Sequence, residues 1–407
     1  MNRKKIVIVS GVFSPEPVTS AQMNYDLAVA LSERYDVTVI KPSPSRPMGY
    51  DFSKSQKTEE KFNQIIVDSY VHPKSVIIGR FRESYSFGKK AVEYIDTHHN
   101  EIDFVYNDGW QFVSLYQVAK VCVKYNIPYI VPIQDIYPES VLTKLPKVSL
   151  LQWPVKSVME PYDKYYISKA AKVRTISDGM AKYLSETRGV PLEHFLVVAN
   201  WQDDSAFLNY KATEVSTDDK VRFMFAGNNS AQANVDLIIN AFIDAQLDKA
   251  ELHVMGGGNA KELCMNIVKE RGAKNIFFGP IPDGKVPEVQ SKADVMVLAL
   301  KTGTGKLGIP SKLVAYMLSG KPVIASVELD SDTAAIIRGS HSGIVTSPDN
   351  REELKYAFRK YAQIAREELD RQRRNSREYA ESCLTRQTNL QKVVSTIEEI
   401  VNTEELC

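Results

Sequence analysis

The chain of 407 residues has no long run of apolar residues. No stretch approaches the roughly 18 consecutive apolar residues that a membrane-spanning helix needs, so the sequence predicts none. Near the first residue, the apolar run from Ile6 to Val9 is too short for the core of a signal peptide. It is typical of a buried β-strand, and we therefore expect a cytoplasmic protein.

Cysteine and histidine are also scarce. The chain has 4 cysteines and 6 histidines, and they are scattered without a CxxC motif or the spacing of a metal site. Reduced thiols in a cytosolic protein account for the cysteines most simply. We expect no metal ion and no bound cofactor.

An excess of charge of either sign is missing as well. Lysine and arginine number 51 against 50 acidic residues, so no global field attracts nucleic acid. Any recognition of an anion must therefore be local. We expect no nucleic-acid partner, and the sequence predicts no oligomeric state.

Three catalytic signatures are absent too. No Walker sequence is present, which disfavours phosphoryl transfer by that machinery. The loop after the first predicted strand, residues 10–15, lacks the GxGxxG spacing of an NAD site. No GxSxG elbow supports an acyl hydrolase.

What the sequence does contain is a nearly continuous alternation of strand-like and helix-like segments. The opening strand 5–10, helix 20–34 and strand 36–40 form a βαβ unit, which implies a parallel sheet. Residues 202–220 are polar and poor in large apolar residues, and they read as a linker. After them the alternation restarts, so the length and the pattern predict two doubly wound αβα domains.

The predicted domains comprise residues 1–202 and residues 203–384. Beyond residue 345 the pattern becomes long charged helices, predicted at 351–368 and about 376–402. The last helix, within about 385–407, is long enough to return and pack on the first domain.

In parallel sheets, ligands bind beyond the carboxyl ends of the strands. In the first domain this rule indicates the 11–19 loop, which begins at Gly11, and the segment after the strand at 128–133. That segment carries two carboxylates, Asp135 and Glu139. Both are candidates for chemistry, and both are equally consistent with capping the next helix.

Residues 140–172 combine apolar and basic side chains. Trp153 and several lysines could place this segment against an anionic membrane face. A solvated helix pair with extended lysine side chains explains the same pattern.

The second domain has three glycine-rich corners after predicted strands, at 227–230, 256–258 and 303–308. Close approach of a backbone to a phosphate requires missing side chains, which such corners provide. The third corner leads into a helix preceded by Pro310, with Ser311 as a potential cap and Lys312 as a mobile cation. This stretch is typical of a phosphate site, although an ordinary junction of loop and helix would look alike.

Several of these motifs together carry a family resemblance that spans nearly the whole chain. The chain resembles the retaining GT-B glycosyltransferases of glycosyltransferase family 4, in particular the fucosamine transferases of bacterial capsule and O-antigen assembly. The resemblance rests on motifs that follow predicted strands or open helices: residues 13–17, 134–140, 176–180, 200–201, 226–228, 310–313, 319–325 and 342–345.

The resemblance implies a GT-B fold, in which two Rossmann-like αβα domains face a central cleft. It implies that the second domain binds a nucleotide sugar and that the first holds the acceptor. The expected catalytic residues are Lys312, Asp135 and Glu139. The expected nucleotide-sugar contacts are Gly11, Asn200, Gly227, Asn228, Gly257, Gly279, Pro280, Ile281, Lys306, Ser311, Lys312 and Leu313.

Within this set, the resemblance assigns the nucleotide base to the backbone at 279–281 and the diphosphate to residues 311–313. A departing nucleoside diphosphate gains negative charge as the glycosidic bond breaks. Lys312 and the N–H groups of a helix N-terminus would stabilise that charge without a metal.

The sequence also departs from the family pattern. Many members carry two glutamates eight residues apart, and the second one binds the ribose; here those positions are Leu307 and Ala315. The basic residues expected after the first strand of the second domain are replaced by Asn228, Asn229 and Gln232 nearby. Lys306 could supply a missing cation or could be solvated.

We therefore expect a retaining glycosyltransferase that acts on a UDP-linked donor, with an N-acetylated hexosamine or deoxyhexosamine as the transferred sugar. The expected acceptor is a lipid-linked or saccharide precursor of a surface polysaccharide. The expected location is the inner face of the cell membrane. Two alternatives stay open: a nucleotide-sugar epimerase of the same fold, and a catalytically silent partner subunit that binds nucleotide or lipid.

Overall fold

The computed structural model describes residues 3–46, 50–52, 61–72, 76–109, 112–142, 149–210, 219–303 and 308–403. The chain divides into two compact units. The first comprises Met1–Gln202 and Asn389–Cys407, and the second comprises Asp203–Thr388.

Among the described residues, the first unit is built on a sheet of seven strands, all parallel, in the order β3-β2-β1-β4-β5-β6-β7. Central strands such as β1 and β4 are almost wholly buried because helices cover both faces of a parallel sheet. The strands are β1 (Lys5–Ser10), β2 (Asp36–Pro42), β3 (Asn63–Val67), β4 (Phe104–Asp108), β5 (Tyr129–Ile133), β6 (Lys172–Thr175) and β7 (Phe195–Val197).

The helices of the first unit are α1 (Thr19–Ser32), α2 (Ile77–His98), α3 (Phe112–Lys124), α4 (Glu139–Leu142), α5 (Ser149–Ser168) and α6 (Asp178–Arg188). None of the described helices is long and apolar enough to cross a membrane.

The described part of the second unit contains a sheet of six parallel strands, in the order β10-β9-β8-β11-β12-β13. The strands are β8 (Val221–Ala226), β9 (Ala250–Met255), β10 (Ile276–Gly279), β11 (Val295–Ala299), β12 (Val323–Ser326) and β13 (Gly343–Thr346). The helices are α7 (Ser205–Leu208), α8 (Val235–Ala245), α9 (Lys261–Glu270), α10 (Val286–Ser291), α11 (Ser311–Leu318), α12 (Asp332–Gly339), α13 (Arg351–Ala362) and α14 (Arg366–Cys383).

The last helix, α15 (Arg386–Thr403), contributes to the core of the first unit. Its residues Val393, Ile397 and Val401 are buried in one cluster with Ile6 and Met23. Burial of such side chains stabilises the unit by about 1.5–3 kcal/mol each. The apolar positions of α15 thus cover the face of the sheet on which α1 also packs.

Parts of the helical structure differ from the sequence-based prediction. The helices predicted at 351–368 and 376–402 are three helices, because the chain breaks at residues 363–365 and again at 384–385. Helix α12 was not predicted; Ser331 caps it by accepting a hydrogen bond from the Ala334 N–H. Helix α12 was missed because a short buried helix lacks the long apolar period on which the prediction relied.

Each sheet reverses its strand order once, at a point that indicates a ligand site. In the first unit the reversal lies between β1 and β4, so the residues after them, Gly11 and Gly109, lie side by side. In the second unit it lies between β8 and β11, next to Gly227. Ligands of doubly wound sheets bind beyond the carboxyl ends of the strands at such points.

Candidate functional site

Two glycine corners of the second unit lie in direct contact. The Gly227 N–H donates a hydrogen bond to the Met255 carbonyl at 3.0 Å, and the Gly256 N–H donates to the Gly279 carbonyl at 2.8 Å. A Cβ atom at Gly256 would lie 2.3 Å from the Gly227 carbonyl oxygen, and the φ of Gly256 is +117°. Only glycine fits there, so the ends of β8, β9 and β10 form one continuous backbone surface.

The second corner continues this surface. The Asn229 N–H donates to the Gly257 carbonyl at 2.7 Å, and the Ala260 N–H donates to the Asn229 carbonyl at 3.0 Å. A Cβ atom at Gly257 would meet nothing within 4 Å, so open space lies above that backbone. Asn228 is exposed beside it. Two of the predicted contacts, Gly257 and Asn228, are therefore accessible.

Helix α11 is fixed to the end of β8 by one buried hydroxyl group. The Tyr316 hydroxyl donates to the Ala226 carbonyl at 2.9 Å and accepts from the Ala226 N–H at 3.0 Å. Tyr316 is fully buried, so both bonds are shielded from water. We call this pair of bonds the Tyr316 clamp. It places the first turn of α11 beside Gly227.

The side chain of Lys312 extends over that glycine. A Cβ atom at Gly227 would lie 2.5 Å from Lys312 Cε, and Lys312 Nζ lies 5.7 Å from the centroid of the Phe225 ring. Burial lowers the pKa of Lys312. Among the described residues Lys312 has no hydrogen bond or ion pair, so its ammonium group lacks a counter-ion at the glycine surface.

The neighbours of Lys312 contribute less than the sequence indicated. Pro310 is the N-cap residue of α11 and no side chain caps the helix, so the expectation that Ser311 caps it is wrong. Ser311 is exposed at the first helical position. The side chain of Leu313 is buried and its N–H donates to the Pro310 carbonyl at 2.9 Å. Lys306 lies outside the described residues, as does Leu307.

The predicted base-binding segment follows β10. Gly279 accepts the hydrogen bond from Gly256, and a Cβ atom there would lie 2.6 Å from Met255 Cε. Pro280 is exposed and Ile281 is half-buried. Ala315, which occupies the ribose-binding position of the family, is 8% exposed and has no polar side-chain atom.

The first unit has a cleft with about 500 Å³ of open space at the carboxyl ends of β4 and β5. The exposed Asp135 lines this cleft, and so do the half-buried Gln134 and Tyr137 and the buried Asp108. Gly11 lines a neighbouring pocket, and its N–H donates to the Asp108 carbonyl at 2.9 Å. The structure thus brings Asp135 and Gly11 to the same edge of the sheet.

Asp108 is a carboxylate that the sequence analysis missed. It is buried at the end of β4, and its carboxylate accepts a hydrogen bond from Asn24 at 2.7 Å. Burial raises its pKa to about 6, against the opposing effects of Asn24 and the charge of Arg174. No candidate was predicted after the strand Phe104–Asp108, so a carboxylate at the ligand edge went unnoticed.

Glu139, the second predicted carboxylate, is engaged in a buried ionic network. Its Oε2 lies 2.8 Å from Arg188 Nη2, and its Oε1 accepts a hydrogen bond from the Tyr183 hydroxyl at 2.7 Å. Burial favours the neutral acid, but the bonds from Arg188 and Tyr183 outweigh it and lower the pKa of Glu139. Arg188 also pairs with Asp163 at 2.6 Å, and both of those side chains are 1% exposed. The role that these contacts support for Glu139 is structural.

Asn200 lies at the same end of the first sheet. Its Oδ1 accepts a hydrogen bond from Arg174 at 2.9 Å, and its Nδ2 donates to Gln134 at 3.5 Å. Within the part of the chain that the structure describes, no group of three or more His, Cys, Asp and Glu side chains could hold a metal ion.

Both units match models of known families. Residues 20–205 match the model described as Glycosyltransferase Family 4. Residues 220–363 match the model described as Glycosyl transferases group 1.

A search of curated proteins gives a match to "Probable glycosyltransferase WbjE" of Pseudomonas aeruginosa, with 22% identity over 225 residues. The match covers 51% of this chain and spans about half, 53%, of the relative.

Solved structures match over nearly the whole chain. The Alr3699/HepE protein of Anabaena, in complex with UDP, has a TM-score of 0.67 at 15% identity, covering 97% of this chain and 100% of that one. WaaG, described as a glycosyltransferase involved in lipopolysaccharide biosynthesis, has a TM-score of 0.59 at 15% identity, covering 95% and 98%. At this identity the likeness shows the fold, which is GT-B, as the sequence predicted.

We predict that Arg188→Met destabilises the protein by about 3–5 kcal/mol, because the substitution leaves the buried carboxylate of Asp163 unpaired. Urea unfolding measures the free energy. The matched control is Lys182→Met, in which the lost ion pair with Glu186 is exposed and no measurable change is expected. Equal effects of the two substitutions would contradict the structural role of the network.

Proposed function

The chain belongs to the GT-B glycosyltransferases, and from that premise we propose that it transfers a sugar from a nucleoside diphosphate donor to a saccharide acceptor. The observation that carries the proposal is the position of Lys312, which the Tyr316 clamp holds over Gly227 with no ion-pair partner among the described residues. The finer resemblance, to fucosamine transferases, stays a prediction.

A diphosphate is the ligand that this corner suits best. Open space above Gly257 lets phosphate oxygens approach the backbone, and Gly227 makes room for the side chain of Lys312, which supplies a positive charge. The start of α11 adds the positive end of a helix dipole. A bound diphosphate would also provide the counter-charge that the half-buried ammonium group of Lys312 lacks.

The same groups account for catalysis. As the bond from the anomeric carbon to the diphosphate breaks, negative charge accumulates on the phosphate oxygens. Lys312 and the N–H groups at the start of α11 stabilise that charge more strongly than the charge of the intact donor, and this lowers the barrier. Following the family resemblance, we propose retention of the anomeric configuration. We place the acceptor hydroxyl at the cleft of the first unit, near Asp135.

The base and the ribose are proposed to lie along β10 and α11. Backbone groups at 279–281 would contact the base. Since Ala315 offers the ribose no hydrogen bond, we propose that the exposed amide of Asn228 contributes to its recognition instead. UDP is the proposed nucleotide, in keeping with the UDP complex of the Anabaena protein.

The proposed acceptor is a lipid-linked precursor of a surface polysaccharide. Support comes from the polysaccharide branch that the sequence resembles and from the fold shared with WaaG, a glycosyltransferase involved in lipopolysaccharide biosynthesis. Helix α5 supports attachment to a membrane surface, because Trp153, Val158 and Tyr162 are 71%, 63% and 41% exposed. Lys156, Lys164 and Lys169 lie on α5 or directly after it and could contact anionic lipids.

A panel of UDP- and GDP-sugars, incubated with and without lipid-linked acceptors, tests the function. Transfer of one sugar to an acceptor is the expected result. Formation of an epimer without acceptor would replace the proposal with an epimerase. If every donor stays intact with every acceptor, the proposal fails in favour of a silent subunit, which the buried Ala315 would then explain.

We predict that Lys312→Ala raises the barrier by about 2 kcal/mol or more, which is about 30-fold in kcat/KM, and leaves the fold intact. Steady-state kinetics with the donor found in the panel measure the loss, and circular dichroism checks the fold. Lys269→Ala, at an exposed lysine near the end of α9, serves as the control and should be neutral. An unchanged kcat/KM in Lys312→Ala would remove the diphosphate role.

We predict that Trp153→Ser lowers binding to vesicles of phosphatidylcholine and phosphatidylglycerol by about tenfold, because the indole ring no longer inserts at the interface. Sedimentation with vesicles measures the partition coefficient, and added salt should weaken it further. Leu192→Ser, a similarly exposed apolar position at 55%, is the control. If added salt does not weaken vesicle binding by the wild type, and Trp153→Ser binds as well as the wild type, this surface is excluded.

A further inference from the structure

A buried arginine of the first unit begins a chain of hydrogen bonds that ends at the cleft. Arg174 is 2% exposed, and its Nη2 donates to the Asn200 side-chain oxygen at 2.9 Å. The same nitrogen approaches the carbonyls of Val198 and Ala199 at 3.3 and 3.5 Å. The Arg174 guanidinium also lies over the Trp201 ring, 5.1 Å from its centroid. These contacts fix the position of Arg174.

An arginine side chain can only donate hydrogen bonds, and this determines the orientation of the next group. The Asn200 oxygen must face Arg174, so the Asn200 NH₂ group points the other way, where it donates to Gln134 Oε1 at 3.5 Å. Because Gln134 Oε1 accepts this bond, the Gln134 NH₂ group is turned away from the Asn200 amide. Among the described residues, that NH₂ group has no hydrogen-bond partner.

Gln134 lines the cleft of the first unit together with two carboxylates, Asp135 and Asp108. Carboxylates accept hydrogen bonds, whereas an amide NH₂ group donates them. A sugar hydroxyl can donate to one group and accept from another at the same time. A cleft with both acceptors and a fixed donor therefore suits a ligand with several hydroxyl groups, such as a sugar.

Resting on the proposed function, we propose that Gln134 is a specificity-determining residue that donates a hydrogen bond to an oxygen atom of the sugar substrate. Arg174 and Asn200 are positioning residues, since they act only by fixing the direction of the Gln134 amide. Without Arg174 and Asn200, the Gln134 amide could rotate by half a turn and present an acceptor to the cleft beside two carboxylates.

We call the hydrogen bonds that run from Arg174 through Asn200 to Gln134 the relay. Two nearly isosteric substitutions test it. Gln134→Glu replaces the donor with an acceptor, and Asn200→Asp keeps the bond to Arg174 but removes the donor that orients Gln134. We expect each to lower kcat/KM by about tenfold or more, which corresponds to the loss of one hydrogen bond to substrate. Gln391→Glu, an exposed glutamine on α15, is the control and should leave kcat/KM and Tm unchanged.

The double variant is decisive because the two substitutions remove the same donor. The relay predicts that the double variant loses no more activity than Gln134→Glu alone. If the double variant has a normal Tm and its loss in kcat/KM equals the product of the two single losses, the two residues act independently and the proposal is wrong.

A second readout does not need activity. In a protein with ¹⁵N-labelled side-chain amides, the Gln134 NH₂ signals, assigned by their loss in Gln134→Glu, should shift in Asn200→Asp. Signals that stay in place would exclude the relay. If the wild type transfers no sugar in the donor panel, the proposed function fails, while this spectrum still decides the orientation of Gln134.

Discussion

The donor corner of this protein depends on the Tyr316 clamp. A single buried hydroxyl both donates to and accepts from the backbone of Ala226, which is buried as well. The hydroxyl therefore joins a helix to the last residue of a strand and leaves neither backbone group unsatisfied. One turn earlier in the helix, Lys312 is brought over Gly227. Without the clamp, the lysine and the glycine surface would be unrelated parts of the sheet edge.

The first unit uses buried arginines in a comparable way. Arg188 satisfies two carboxylates and also donates to the Tyr137 carbonyl at 2.7 Å, which ties the segment beside Asp135 to α6. Arg174 sets the polarity of Asn200 and, through it, of Gln134. A guanidinium group suits such positions because it stays charged and offers several donors in a fixed plane. In both cases a buried guanidinium group orients residues that line the solvent-accessible cleft.

Much of the architecture was readable from local patterns. The alternation of strands and helices predicted two parallel sheets. The glycine corners after β8 and β9 were also visible in the sequence. Asp108 and the helix α12 were missed because a strand end and a short buried helix leave little periodic signal. Glu139 was a candidate for chemistry or for helix capping because its position beside a strand end is visible in sequence, whereas its partner Arg188 lies far along the chain.

What the sequence by itself determined is the order of elements, the parallel sheets and the residue types at their carboxyl ends. These follow from apolar periodicity and from the conformational freedom of glycine, which are local properties. Only the tertiary structure decided which of those residues have partners. Lys312 lacks a counter-ion within the described chain, Glu139 has one, and Gln134 has an oriented amide. Such pairings join residues distant in sequence, and burial then sets their strength.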